Sequence, residues 1–376
     1  MIFRFFQRPL AKKIDLAAPA VARDPFPHYE ELRRRGPVQY LARHGAWIVL
    51  GYDEVQSAFA QPQVFSNRPY AEVDDVLLAA DPPGHTPVRR IVMRYFAQDA
   101  VQRLSAFAEE KAESLLQPRM DAVADYAVAL SEAVAAQLLG LSDDALAAIR
   151  SAPREVSLLV RALDQIADRA AIHESLLADG LDDTRARSLV RLLWLAATTT
   201  TQRVIAHCVL HLLDGGRGFS PPPSGVGGVP PPRPGGGLKP RPTLDVPAFV
   251  DEVLRLHPPE LLVPRMTTQA VTLGGAAIPA NAVVHLCLAA ANRDPAKFDA
   301  PAELRLDRPP MRHFTFGSGI HHCVGATLGR RVVEASVRVL LARAPRLRAA
   351  QPLENLVGWC SMTASPVERL LIEGAR

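Results

Sequence analysis

The chain is poor in cysteine. Cys208, Cys287, Cys323 and Cys360 are widely spread over 376 residues, with no Cys-x-x-Cys pair. That spacing excludes a zinc ribbon or a disulfide framework and points to a reducing cytoplasm. Net charge is also small, +4 in total, which gives no long-range pull on nucleic acid. Long apolar runs are missing at the start, where Ile2, Phe3, Phe5 and Phe6 alternate with Arg4 and Arg8. Such a stretch is too short and too interrupted for a signal peptide or a membrane span. A soluble protein with neither membrane nor nucleic acid as partner is expected. With 48% hydrophobic residues, the chain can bury a large core, as one large domain or two ordinary ones.

What is present centres on Phe316 to Gly325, which runs directly into an amphipathic stretch from Ala326 to Ala344. One cysteine in a glycine-punctuated loop before a helix suits a lone metal ligand. A thiolate held against a metal needs backbone N–H groups and a helix N-terminus aimed at the sulfur. Gly317, Gly319 and Gly325 permit that approach, Gly325 lets a flat cofactor lie against the helix start, and Phe316 can cover the sulfur.

The pattern Phe-x-x-Gly-x-x-x-Cys-x-Gly, from Phe316 to Gly325, resembles the haem-ligand loop of the cytochrome P450 haem-thiolate monooxygenases. The resemblance implies a mainly α fold with a small β region, a single domain over 1–376, and haem b whose iron is axially ligated by Cys323. His85 and Arg89, four apart on one helix face, are paired cations able to clamp carboxylates. The resemblance assigns them, with Arg265 and His321, to the haem propionates, and it lays Phe316, Gly325 and Ala196 against the cofactor. His322 is expected on the proximal surface. Glu252 and Arg255, at i and i+3 before His257-Pro258-Pro259, resemble the family's buried structural pair.

Asp183 to Leu213 reads as one long helix carrying Thr198-Thr199-Thr200-Thr201. Four threonines are unfavourable in a helix interior. Either their hydroxyls bond back to carbonyls one turn earlier, or the segment from Ala196 matches the family's Ala-Gly-x-Asp/Glu-Thr-Thr. In that match Thr200 is the relay alcohol, Ala197 stands for the glycine, and Thr199 replaces the acid. A hydroxyl passes hydrogen bonds but supplies no proton near neutral pH as a carboxyl does.

Other elements follow from local signals. A helix is expected after Asp24-Pro25, a hairpin from Val38–Leu41 and Ala46–Leu50, a helix capped by Asp53, and helices from Ala100 to Gln117 and Met120 to Leu139, the last ending at Gly140 with Ser142 capping the next. Only 43 residues lie between Leu141 and Asp183, room for two or three helices, so a reduced roof and an open distal pocket are expected. Tyr70, Val76, Leu77, Ala197 and Met362 are candidate pocket contacts. Residues 215–242 hold nine Gly and nine Pro in 28, a surface insertion that cannot bury enough apolar area to order itself.

The expected activity is oxidation of an organic substrate, bulky or tethered to a carrier protein, with O2. No flavin or ferredoxin segment is present, so electrons come from a separate ferredoxin and ferredoxin-reductase type donor. Arg89, Arg90 and Arg94, and again Arg330, Arg331 and Arg338, are candidates to meet it. The alternatives are peroxide-dependent or other haem chemistry, or a non-catalytic haem or partner-binding protein.

Overall fold

The computed structural model describes residues 15–18, 21, 24–71, 75–151, 156–213, 244–343, 347–351, 367 and 369–374. The 215–242 insertion, Cys360 and Met362 lie outside them.

The chain opens with α1 (Phe26–Arg34), the hairpin β1 (Val38–Leu41) and β2 (Ala46–Val49), then α2 (Tyr52–Phe59) and β3 (Phe65–Ser66). Helices dominate the next stretch: α3 (His85–Met93), α4 (Gln98–Ser114), a short β4 (Arg119–Asp121), a π-turn (Ala122–Val128) continuing as α5 (Ala129–Leu139), then α6 (Asp143–Ser151), α7 (Val156–Ile166), α8 (Ala171–Ala178) and the long α9 (Asp183–Leu213). After α10 (Val246–Leu256) come β5 (Leu262–Thr267), β6 (Val271–Leu273), β7 (Ala276–Ile278), β8 (Val283–Cys287) and the single turn α11 (Leu288–Ala291). The end holds α12 (Ala326–Arg343), β9 (Arg348–Ala349) and β10 (Leu371–Glu373).

The main sheet has the order β1-β2-β8-β5-β3. β2 pairs parallel to β8 with Trp47 opposite Val284, and β5 pairs antiparallel to β8 with Leu262 opposite Cys287. Parallel neighbours need a long crossover, and here that crossover contains nearly every helix. Its largest apolar cluster joins Leu104 and Ala108 of α4, Tyr126 and Leu130, Ile205 and Val209 of α9, Val250 and Val253 of α10, and Val333 and Val337 of α12. Ala122–Leu139 is apolar and long enough to cross a membrane by length and composition, but over half of it is buried inside the protein. Tyr126 within it donates to the Ser336 carbonyl at 2.9 Å, which makes it a core element.

Two local expectations are corrected. Met120 starts no helix: it pairs with Ile372 in the sheet β4-β10-β9, because its 3% exposed side chain is buried by a strand 252 residues away that no local pattern reveals. Asp53 is not a cap either. α2 starts one residue earlier from Gly51, and the Tyr52 N–H is satisfied from afar by Asp294 Oδ2 at 2.9 Å, leaving Asp53 to pair with Lys297 at 2.8 Å. The Gly140 stop and the Ser142 cap do stand: Gly140 has φ 65, and Ser142 Oγ accepts from the Ala145 N–H at 3.3 Å.

Candidate functional site

The loop before α12 is built by its own backbone. The Gly317 N–H donates to the Phe314 carbonyl at 2.7 Å, the His322 N–H to Gly319 at 3.1 Å, and the Cys323 N–H to Phe316 at 2.9 Å. Gly319, at φ +67, lies so close to Phe59 that a Cβ would collide with that residue's carbonyl oxygen. No other residue fits there without moving α2. The loop is thereby pinned against the end of α2, and Cys323 falls at the N-terminal end of α12.

Burial pushes the Cys323 thiol up, while the Gly325 N–H bonded to the sulfur and the Arg89 guanidinium pull it down. Cys323 nevertheless keeps accessible surface, so dense protein holds it on one side while the other stays open. A Cβ on Gly325 would sit 4.0 Å from the sulfur and 3.5 Å from Phe96, so the absence of a side chain there keeps that approach clear. The Arg330 guanidinium covers the Phe316 ring at 4.9 Å and is tied to Asp251, which also meets His313 at 3.0 Å. Among the described residues no group of three or more His, Cys, Asp or Glu could hold a metal ion.

Beside the sulfur stands a basic cluster to which no acid is hydrogen-bonded among the described residues. His85 begins α3 and is 1% exposed, its Nδ1 unpartnered, with its ring 4.3 Å from that of His321, whose Nε2 is likewise buried and unpartnered. Burial and the neighbouring cations hold His321 down to about 3 and lower His85. Arg265, 5% exposed, donates to the Pro264 carbonyl at 2.7 Å, bonds Tyr70, and lies 5.3 Å over Phe59. Arg89 Nη2 donates to the His322 carbonyl at 2.6 Å. Among the described residues, neither arginine forms an ion pair with a carboxylate. Asp81, the acid in electrostatic reach of His85 and Arg265, is occupied by Ser66 Oγ and the Asn67 N–H. A buried arginine with no acid bonded to it is costly; with Arg89 and the unpartnered histidine nitrogens beside it, this arrangement is complementary to a bound dianion.

Along α9, Thr198, Thr199 and Thr200 donate to the carbonyls of Trp194, Leu195 and Ala196 at 2.9, 2.7 and 2.8 Å. Backbone satisfaction thus accounts for three of the four hydroxyls, and leaves their oxygens free to accept. Thr198 is buried, while Ala196 is exposed and Thr199 and Thr200 are partly so. Tyr70, expected as a pocket contact, stands on Arg265, and burial pushes its phenol up to about 12. Val76 and Leu77 are 8% and 6% exposed and pack in a cluster with residues of α3, α5 and α6 to α9, against which Ala197 rests.

Glu252 and Arg255 form the buried fork expected: Nε to Oε1 at 2.7 Å and Nη2 to Oε2 at 2.9 Å. Arg255 also donates to the carbonyls of Asn292, Pro301 and Glu303 at 3.0, 2.8 and 2.9 Å, so it ties α10 to the segment leading into the cysteine loop. Of the six arginines proposed to meet a partner, Arg94 pairs with Asp179, Arg330 with Asp251, and Arg331 and Arg338 with Glu334, while Arg90 is exposed with no ion pair among the described residues. Sequence reasoning missed Glu260, which pairs with Arg203 of α9 at 2.8 Å; its one signal was a carboxylate set between prolines and leucines.

A family model for cytochrome P450 matches residues 245–343. Over 403 aligned residues the chain is 30% identical to cytochrome P450 144 of Mycobacterium tuberculosis, covering 92% of this chain and 88% of that protein. Its fold matches cytochrome P450 CYP109Q5 from Chondromyces apiculatus at a TM-score of 0.80 and 24% identity, over 96% of this chain and 98% of that one. P450BioI, solved in complex with an acyl carrier protein ligated to hexadec-9Z-enoic acid, matches at 0.77 and 22%, over 94% and 99%. With a loop that holds one cysteine at a helix start, beside cations awaiting acids, and with relatives of this identity and coverage, the chain belongs to the cytochrome P450 monooxygenases, which carry a haem ligated by a cysteine thiolate.

Proposed function

We propose that Cys323 is the thiolate ligand, that His85, Arg265 and His321 hold the haem propionates, and that Arg89 braces the ligand loop while adding its charge to theirs. The residues present fit a haem: the unpartnered Nδ1 of His85 and Nε2 of His321 supply two donors, Arg265 supplies charge, and Gly325 leaves a flat ring room beside the sulfur. When bound, the haem supplies the redox chemistry that inserts one oxygen atom of O2 into an organic substrate.

The chain's own residues do the rest. The Gly325 N–H and the Arg89 charge favour the thiolate against burial, as a metal ligand requires. Ala196 keeps the facing wall of α9 low. The oxygens of Thr199 and Thr200, their protons already given to the helix, can accept hydrogen bonds from water and so order it along this face of α9. With Thr199 in the acid's place, protons must arrive through water or a substrate group. Three short helices, α6 to α8, pack with α9 in one apolar cluster, and so few residues for the roof favour an open distal side that admits a bulky or carrier-tethered substrate; P450BioI, of the same fold, was solved with such a carrier. Electrons come from a separate cytoplasmic donor of the ferredoxin type, with Arg90 the basic side chain most available to meet it. The whole is one domain interrupted by the 215–242 insertion.

The observation that carries this reading is the meeting of one cysteine sulfur with His85, His321, Arg89 and Arg265, whose arginines have no acid bonded to them and whose histidines keep unpartnered ring nitrogens. The test is a metabolite screen read by haem spin-state shift, including carrier-bound acyl and aminoacyl groups, followed by turnover under 18O2 with a ferredoxin couple. One labelled oxygen in the product is expected. Thr199 favours a second reading, peroxide-driven oxidation; turnover with peroxide but with no ferredoxin couple would select it and overturn the first.

A further inference from the structure

α3 runs into the turn Arg94–Phe96, and this turn, one face of α4 and the last turn of α5 enclose a cavity of about 330 Å3. That volume is at the low end of small-molecule pockets, roughly 300–1,000 Å3. Asp99, Arg103 and Phe107 recur every four residues, and Ala100 and Leu104 do the same one step on, so all five line it from a single side of α4. The floor is apolar. Leu104 is 7% exposed, and Phe107 and Leu138 are partly buried against the same core cluster. The rim is polar and in water: the side chains of Arg94 and Arg103 keep 59% and 72% of their surface, and Gln137 is exposed. Arg94 Nη2 pairs with Asp179 at 2.6 Å, and Arg103 Nη1 with Asp99 at 2.9 Å. Such exposed pairs contribute little, and a guanidinium has five N–H donors to give. Asp99, the acid on the rim, is already engaged, since Arg103 and the Ala100 N–H hold its carboxyl below the usual carboxylate range.

We propose that this cavity is a second small-molecule site, separate from the haem site, and that it takes a monocarboxylate whose body is a ring system or a short alkyl chain. The rim selects the head group. A carboxylate meets two guanidiniums and the Gln137 amide and gains charge-assisted bonds, whereas an ammonium meets the same two cations and an acid already bonded to Arg103. The floor selects the body, because Leu104, Phe107 and Leu138 offer apolar contact and no hydrogen bond. Occupation of the cavity is felt at the cysteine loop. Tyr95 walls the cavity, with its hydroxyl donating to Asp179 at 3.2 Å, while the next residue, Phe96, lies against Gly325: a Cβ there would stand 3.5 Å from the Phe96 ring and 4.0 Å from the Cys323 sulfur. One short turn is thus both a wall of the cavity and packing for the ligand loop, and packed side chains of this kind carry coupling between sites. The coupling rests on the reading of Cys323 as the haem ligand; the binding does not.

The experiment titrates haem-loaded protein, its distal side saturated with 4-phenylimidazole, with 2-naphthoate, 2-naphthylmethanol and 2-naphthylmethylamine by calorimetry. The carboxylate is expected to bind one site per chain at least tenfold more tightly than the alcohol or the amine. Arg103→Gln is expected to cut that preference at least threefold, and Ala100→Trp, which fills the cavity from α4, to abolish binding of the carboxylate. Arg103 is a surface residue, so its variant carries the test alone where the tryptophan variant fails to fold. No binding, equal affinity for acid and alcohol, tightest binding of the amine, or a preference unchanged in both variants would overturn the inference. Naphthoate should also shift the Soret band of the phenylimidazole complex in the unmodified protein and not in Ala100→Trp; binding without that shift rejects the coupling to the sulfur. Carbon monoxide spectra of the reduced protein separate this from the site reading: a thiolate-type band with no naphthoate preference rejects the second site alone, whereas a missing band with the preference intact rejects the Cys323 reading and the coupling and upholds the binding.

Discussion

Replacing Arg255 by leucine puts the support of the cysteine loop to the test. The side chain is 2% exposed, and its removal strips Glu252 of two bonds and orphans the carbonyls of Asn292 and Pro301, while Arg308 still donates to that of Glu303 at 3.3 Å. Breaking a buried pair costs about 3–5 kcal/mol. Arg308 at 3.1 Å and the Arg305 N–H at 3.0 Å still hold Glu252, which favours the lower end. Two unpaired carbonyls add about 1 kcal/mol or more each where water does not reach them. The sum, roughly 5 kcal/mol, rivals the whole stability of an ordinary domain, about 5–15 kcal/mol. The assay is urea unfolding followed by circular dichroism, with haem content per chain on the same preparation. Arg255→Leu should lose soluble yield and haem together, and Arg255→Lys should rescue little, because a point charge cannot span a carboxylate and three carbonyls. A midpoint shift worth under about 1 kcal/mol would show that the fork carries no such burden.

Gly319→Ala should destabilise the ligand loop by about 2 kcal/mol or more from its left-handed φ and the collision with Phe59, seen as faster haem loss to apomyoglobin. Burial, with His207 and Arg293 nearby, holds His211 down to about 3, and its ring stands 4.9 Å from that of His257. A lowered histidine pKa leaves stability untouched above pH 6.5 and removes it progressively as pH falls from 6.5 toward 3, by at most roughly 4–5 kcal/mol. His211→Leu should therefore flatten that acid limb in urea midpoints taken across pH, and parallel limbs would contradict the assignment. Thr199→Glu should raise product formed per electron pair, measured against NADH consumed through a ferredoxin couple; unchanged coupling would show that proton supply is not the handicap.

Much of the site was legible because its residues are bound by local rules. The cysteine loop is set by glycines and helix spacing within ten residues, His85 and Arg89 by a four-residue interval, and Glu252 and Arg255 by three. What escaped was long-range. Met120 is a strand because Ile372 lies beside it, and Tyr52 needs no local cap because Asp294 reaches it across 242 positions. Val76 and Leu77, in a short loop, are buried by α3, α5 and α6 to α9, a packing that comes from afar. Glu260 was invisible for the same reason: a lone glutamate after two prolines acquires meaning only when Arg203 arrives from another helix.

The ligand itself is tested most directly by the absorbance of the reduced, carbon monoxide-treated protein compared with its Cys323→Ala and Cys323→His variants. The unmodified protein should show the red-shifted Soret band of a thiolate-ligated haem, alanine should lose it, and histidine should replace it with a band at the position typical of imidazole ligation. A thiolate band surviving in either variant would place the iron on another sulfur and contradict the assignment of Cys323.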